Sequence, residues 1–119
     1  MGSSGEADAP AASPAPSTDV LSVRPLADRP GWEAVGEISL ITRPAWEQLM
    51  HLLVLSDEEA CHLELSAVTF VDVAGVSALA VAALGLPEGR RVTVEQPPAA
   101  LRRVLAMFWP DLPAVEVVA

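Results

Sequence analysis

The run from Phe70 to Ser77 constrains the chain most, because it joins an apolar strand to a helix through one acid and one glycine. Before it, residues 61–65 alternate apolar and other side chains at the two-residue period of a β-strand. After it, apolar residues recur at the spacing of one helix face: Val76, Leu79, Ala80, Ala83 and Leu84. Turns of this kind often hold ligand or partner sites, since a helix N-terminus offers free N–H groups and a partial positive charge.

The rest of the chain alternates strand and helix patterns. Strands are predicted at 20–26, at 32–40, around Cys61, at 91–95 and at 115–118. Besides the helix that starts near Gly75, two amphipathic helices are predicted. The first begins at Pro44, and its apolar face consists of Trp46, Leu49, Met50, Leu53 and Val54. The second begins at Pro98, and its apolar face consists of Leu101, Val104, Leu105 and Phe108. This alternation predicts one small α/β domain, a mixed sheet of four to five strands with three to four helices and at least one parallel pair.

Three blocks of the sequence resemble the STAS domains, the anti-sigma factor antagonist family. Residues 64–76 are similar to the family signature of an apolar strand followed by Phe, an apolar residue, Asp, two hydroxyl residues and Gly. Residues 36–39 read Gly-Glu-Ile-Ser where the family reads Gly-Glu-Ile-Asp, and residues 92–105 match the fourth strand and the last long helix. The resemblance covers about residues 20 to 118. It implies a non-catalytic, protein-binding domain whose partner is an anti-sigma factor, a histidine-kinase-like ATPase.

The departures from the family pattern concern its phosphorylation switch. Switching members carry a phosphorylated serine or threonine directly after the aspartate, where this chain has Val73, and the next hydroxyl position is Ala74. Leu40 stands where some stress-sensing members carry a second phosphorylated threonine. We therefore expect no phosphorylation at the family position. The domain would then be either constitutively competent to bind or controlled by another input.

The resemblance and the helix pattern together predict the partner site. Asp72 is expected first to cap the helix, and the resemblance implies that it also helps to present the loop to a partner. The outward side of the following helix carries no charge and is expected to be partly open, unless neighbouring segments cover it. The predicted partner-binding residues are Asp72, Val73, Ala74, Gly75, Val76, Ser77, Ala78, Val81 and Ala82.

Composition and charge narrow the possible classes of function. A chain of 119 residues is one domain at most, and its formal net charge of −9 argues against nucleic acid and anionic membrane surfaces as partners. The single cysteine excludes an internal disulfide, and no signal peptide or membrane-spanning stretch is evident, so a cytoplasmic protein is expected. Residues 1–18 are predicted to be a disordered tail, whose first five residues could be a vector remnant, and residues 19–119 to be the domain.

No metal, cofactor or catalytic group is predicted. His51, His62 and Cys61 lack the spacing of a zinc site, and His62 should point away from Cys61 on a strand. Two other functions remain open: an accessory STAS subunit on the ATPase of an ABC-type lipid transporter, or a small nucleotide-binding signalling domain. Homodimerisation is also open.

Overall fold

The computed structural model describes residues 20–119, and the tail predicted over residues 1–18 lies outside this range. The strands and helices follow one another along the chain as β1 (Leu21–Pro25), β2 (Gly31–Ile38), α1 (Arg43–Leu55), β3 (Ala60–Val71), α2 (Val73–Leu84), β4 (Arg91–Glu95), α3 (Ala99–Phe108) and β5 (Val115–Val118). These elements agree with the predicted alternation of strands and helices.

The five strands form one mixed sheet in the order β1-β2-β3-β4-β5. β1 and β2 form an antiparallel hairpin, and every later pair is parallel because a helix returns the chain to the same end of the sheet. The predicted fold class, a single small α/β domain with a mixed sheet, is therefore confirmed. β1 and β5 are the two edges of this sheet.

The core lies between the helices and one face of the sheet. In β3, Cys61, Leu63 and Leu65 are fully buried, whereas the intervening His62 and Glu64 are only half-buried. Since successive side chains of a strand point to opposite faces, the helices cover one face and the other is the outer face of the sheet. The helices contribute Trp46, Leu49, Leu53, Val76, Leu79 and Leu101 to the core.

The pairing of β2 with β3 is irregular near Gly36. The register changes between Glu33 and Val35 and again between Gly36 and Glu37. Gly36 has φ +125°, and a Cβ there would lie 2.1 Å from the carbonyl oxygen of Val20. Only glycine fits this conformation and this approach of neighbouring backbone, which accounts for the glycine in the Gly-Glu-Ile-Ser block.

Two residues assigned to inward helix faces are exposed. Leu84, at the end of α2, is 65% exposed, and Phe108, at the end of α3, is 58% exposed. Each helix residue is rotated by about 100° from the one before it, so Leu84 lies on the flank of α2 next to the buried Ala83. Phe108 is the last residue of α3 and packs edge-on against Trp109, with a ring-centroid distance of 6.0 Å.

Candidate protein-interaction surface

Asp72 caps α2 at the turn that follows β3. Its Oδ1 accepts a hydrogen bond from the Gly75 N–H at 2.7 Å, and its extended backbone is typical of an N-cap residue. Its Oδ2 accepts a hydrogen bond from Arg43 of α1 at 3.2 Å. The expected capping role is confirmed, and both carboxylate oxygens are engaged within the domain.

Gly75 lets the turn pack tightly against the core. A Cβ at this position would lie 2.5 Å from Cγ2 of Ile38, and the φ of Gly75 is not in the left-handed region. The carbonyl oxygen of Gly75 accepts a buried hydrogen bond of 2.9 Å from Nε1 of Trp46. The close approach at this glycine is therefore made to the domain's own β2 and α1.

The burial of Gly75 and Val76 corrects the predicted list of partner-binding residues. Both are buried, and Val76 has no exposed surface. Both lie on the side of α2 that faces the sheet, so they support the turn from within and offer no side chain to a partner. The sequence pattern already places Val76 on the inward face, so its helical spacing could have removed it from the list.

Exposed apolar side chains gather where β2 and β3 end. Val73 at the start of α2 is 57% exposed, and Ala74 beside it is also exposed. Ile38 and Val71 are register partners in a parallel pair, so the residues that follow them lie at the same end of the sheet. This strand-end patch consists of Leu40, Ile41, Phe70, Val73 and Ala74. No binding role is predicted from the sequence for Leu40, Ile41 or Phe70. The strand predicted at 32–40 includes Leu40, whereas β2 ends at Ile38, so that Leu40 and Ile41 lie in the loop that follows it.

A groove between α1 and α2 begins at Ala74 and runs along both helices. Its volume is about 660 Å³, and most of the side chains that line it are small or apolar, with Glu47 and His51 of α1 as the exceptions. From α2 it includes five predicted partner-binding residues: Ala74, Ser77, Ala78, Val81 and Ala82. From α1 it includes Met50, His51, Val54 and Leu55, which sequence analysis did not assign to the site. We call this the α1–α2 groove.

The predicted open side of α2 is only partly open. Val81 is 63% exposed, whereas Ala78 and Ala82 are half-buried and pack against the core cluster. α1 therefore covers part of the face, as the alternative interpretation of the sequence allowed, and Val81 is the main exposed apolar side chain of the groove on α2. No residue of α2 is charged.

The outer face of the sheet has a different chemistry. Arg29, from the turn between β1 and β2, donates to both oxygens of Glu95 on β4, at 2.5 and 3.2 Å, and His62 Nδ1 lies 2.6 Å from Oε2 of Glu95. The hydrogen bonds from Arg29 hold the pKa of Glu95 below its ordinary value of 4.5, against the opposing effect of partial burial. No local sequence pattern predicts this cluster, because His62 and Arg29 are 33 and 66 residues away from Glu95 along the chain.

Other candidates for chemistry remain isolated. Within residues 20–119, no three His, Cys, Asp or Glu side chains are placed to hold a metal ion. Burial raises the pKa of the Cys61 thiol and so favours its neutral form, while His62 extends to the outer face. Over the same residues, no helix is long and apolar enough to cross a membrane.

Comparison with known proteins supports the assignment of the fold. The chain matches the crystal structure of an anti-sigma factor antagonist from Mycobacterium paratuberculosis with a TM-score of 0.68 and 25% identity, over 82% of this chain and 86% of that one. It matches the anti-sigma factor antagonist SpoIIAA in its unphosphorylated form with a TM-score of 0.56 and 14% identity, over 84% and 89% of the two chains. The second likeness shows the fold alone. A search of curated proteins found no match.

A family model assigns the chain to a protein family. The model described as "Mlab, STAS domain" matches residues 33–109, which run from within β2 to the end of α3 and therefore include both the strand-end patch and the α1–α2 groove. Together with the likeness to anti-sigma factor antagonists, this match supports a regulatory role of the kind typical of STAS domains. The chain belongs to the STAS domain family.

Proposed function

We propose that this domain is a non-catalytic regulator of bacterial transcription or signalling. It acts in the cytoplasm by binding an anti-sigma factor of the histidine-kinase-like ATPase class. The strand-end patch and the α1–α2 groove form the binding surface. The main support for this proposal is the uncharged apolar surface of α2, where Val73 and Val81 are 57% and 63% exposed. Exposed apolar surface along one side of a helix is typical of protein interaction sites.

The shape of the groove suits a protein partner. A helix or loop inserted between α1 and α2 would bury the aliphatic side chains that line it, and burial of apolar surface contributes roughly 25 cal/mol per Å². The strand-end patch extends this apolar surface at the end of the groove where Ala74 belongs to both. His51, Glu47 and Ser77 line the groove and offer the hydrogen-bonding groups that orient a partner.

The same surface explains how the domain would differ from switching members of the family. A phosphate after the capping aspartate would place negative charge at the junction of the patch and the groove, but Val73 and Ala74 have no hydroxyl group to carry it. Binding would therefore not be interrupted by phosphorylation at these positions. Regulation would have to come from the amount of protein or from a different input.

The family description favours a second candidate function. Because the matching model is described as "Mlab, STAS domain", an accessory subunit on the ATPase of an ABC-type lipid transporter is the alternative. Both candidates place an ATPase on the domain. Nucleotide binding by the domain itself has less support, because the Asp72 carboxylate caps α2 and the α1–α2 groove has no Arg or Lys lining it.

A binding comparison tests the proposal. The chain is titrated by calorimetry against the anti-sigma ATPases and the transporter ATPase encoded in its source genome. Saturable binding of an anti-sigma ATPase, without stoichiometric phosphate in the intact mass after incubation with ATP, is the expected result. Binding of only the transporter ATPase would support the second candidate. Phosphate mapped to Ser77, Thr69, Ser66 or Ser39 would show that a switch exists at another position.

A further inference from the structure

The edge strand β5 and the flank of α3 form a second surface, on the opposite side of the sheet order from β1. A groove of about 280 Å³ separates them. Arg102 and Ala106 line it from α3, Trp109 lines it directly after α3, and Val115 and Val117 line it from β5. We call this the α3–β5 groove. It shares no lining residue with the α1–α2 groove.

The backbone of β5 is available for pairing. Ala114 and Val118 accept hydrogen bonds from the N–H groups of Val92 and Gln96, so their carbonyl groups point to β4. Alternate residues of a strand direct their N–H and C=O groups to opposite edges, so Val117 directs both of its groups away from β4. Its side chain meanwhile lines the α3–β5 groove.

The two edges of the sheet differ in their protection against pairing. β1 ends in Pro25, which has no N–H, and carries Arg24 in an ion pair with Glu33. Charged residues and proline are the usual means of blocking an edge strand. β5 has the sequence Val-Glu-Val-Val, contains no proline, and leaves Val117 and Val118 38% and 41% exposed. Its one charged residue, Glu116, pairs with Arg91 of β4 at 3.9 Å, and its side chain points to the face of the sheet opposite that of Val117. The two edges therefore differ in proline and not in charge. The edge of β5 is suited to an added strand.

Charge indicates what kind of strand would bind there. The chain has seven positive residues, all arginine, and a net charge of −9. Arg24, Arg29, Arg43 and Arg91 pair with acids, and Arg90 donates to the carbonyl of Leu53. Within residues 20–119, Arg102 and Arg103 have neither an acidic partner nor a side-chain hydrogen bond, and Arg102 lines the α3–β5 groove. A carboxylate on the bound segment would complement Arg102.

From these observations we infer that β5 and α3 bind an extended segment of a partner protein, one with alternating aliphatic side chains and a carboxylate. The segment pairs with the free edge of β5 through Val117. Its aliphatic side chains enter the α3–β5 groove against Ala106 and Trp109, and its carboxylate meets Arg102. This is strand addition, in which backbone hydrogen bonds give affinity and pockets for alternate side chains give specificity.

The test uses a synthetic peptide of alternating valine and aspartate and the ¹⁵N-labelled full chain. On titration with the peptide, the largest changes in backbone amide chemical shift are expected in β5 and on the adjacent side of α3. Arg102→Glu should weaken binding about tenfold, because it replaces attraction with repulsion. Arg103→Glu, one residue away and outside the groove, should weaken it by less than about twofold, since an exposed charge contributes little. A peptide with lysine in place of aspartate should bind more weakly than the original peptide.

Backbone pairing is tested separately with the same peptide methylated on alternate backbone nitrogens, a change that leaves the domain untouched. Two peptides are compared, one methylated on the odd-numbered and one on the even-numbered backbone nitrogens. Only the peptide whose methyl groups replace the N–H groups that pair with β5 is expected to lose binding. The inference is overturned if no shifts occur at millimolar peptide, if the shifts fall on the α1–α2 groove, or if Arg102→Glu and Arg103→Glu behave alike. It is also overturned if sedimentation shows a dimer whose contact is β5 itself, because a second copy would then be the occupant. None of these results depends on the ATPase titration.

Discussion

On the outer face of the sheet, Glu95 is held by Arg29 and His62, whereas on the helix side Val73 and Val81 are exposed on a helix without a single charge. The first surface satisfies its polar groups with one another, so a partner would have to break existing hydrogen bonds to use them. The second leaves apolar surface in water, which a partner can bury. This difference is the reason we propose the helix side, and not the outer face, as the main binding side of this acidic domain.

The largest effect is expected where the binding side is anchored to the core. Gly75→Val would place side-chain atoms against Ile38, because even a Cβ would lie 2.5 Å from its Cγ2. We expect a loss of about 3 kcal/mol in the free energy of unfolding, measured by urea denaturation. Gly85→Val is the control, since a Cβ there meets nothing closer than 3.5 Å. Equal stability of the two variants would mean that the turn is not packed as described.

Trp46 is expected to give the next largest effect. Trp46→Phe removes the buried hydrogen bond from the indole to the Gly75 carbonyl, which keeps only its helical partner four residues on, and leaves space in the core where the larger indole packs. We expect a combined cost of about 2 kcal/mol. Trp32→Phe is the matched control, because Trp32 is half-buried and its indole makes no hydrogen bond within residues 20–119. Thermal unfolding of the two variants makes the comparison. A Trp46→Phe variant as stable as Trp32→Phe would contradict the proposed link between α1 and α2.

The smallest effect is expected on the outer face, and it depends on pH. A lowered pKa in the folded state means that Glu95 stabilises the domain above the unfolded value of 4.5, and this contribution is lost as the pH falls through the lower folded value. Glu95→Gln should therefore be less stable than the parent chain at pH 7, by less than about 1 kcal/mol because the pair is partly exposed. The gap should close in acid.

A double-mutant cycle with Arg29→Gln checks the origin of this effect. If the hydrogen bonds from Arg29 cause the lowered pKa, the two substitutions should be non-additive at pH 7 and additive in acid. Additivity at both pH values would assign the stability of this face to other contacts.

Local patterns in the sequence predicted the elements and the fold class because period and turn residues act over a few neighbouring positions. The two-residue alternation around Cys61 identified β3, and the capping role of Asp72 followed from its place before a helical pattern. Burial at helix ends was less predictable, as Leu84 and Phe108 show, because it depends on what packs beyond the last turn.

About half of the residues of the candidate site could not be predicted from the sequence, because their place in the site depends on tertiary contacts. The α2 side of the groove followed from the uncharged helix, but its α1 side, with Met50 and Leu55, required knowing how α1 lies against α2. The bond from Trp46 to Gly75 joins residues 29 apart, and no local pattern specifies which indole meets which carbonyl. The same holds for Arg29 and Glu95 across 66 residues.

The central claim is that the α1–α2 groove binds the partner, and a matched pair of charge substitutions tests it most directly. Val81 and Leu84 are 63% and 65% exposed on the same helix, but only Val81 lines the groove. The measurement is the Kd of Val81→Glu and of Leu84→Glu for the ATPase that binds the parent chain, after circular dichroism has shown that both variants fold. Val81→Glu should weaken binding by about a hundredfold and Leu84→Glu by less than about threefold, because only the first buries a charge in the interface. Equal affinities for the two folded variants would contradict the account.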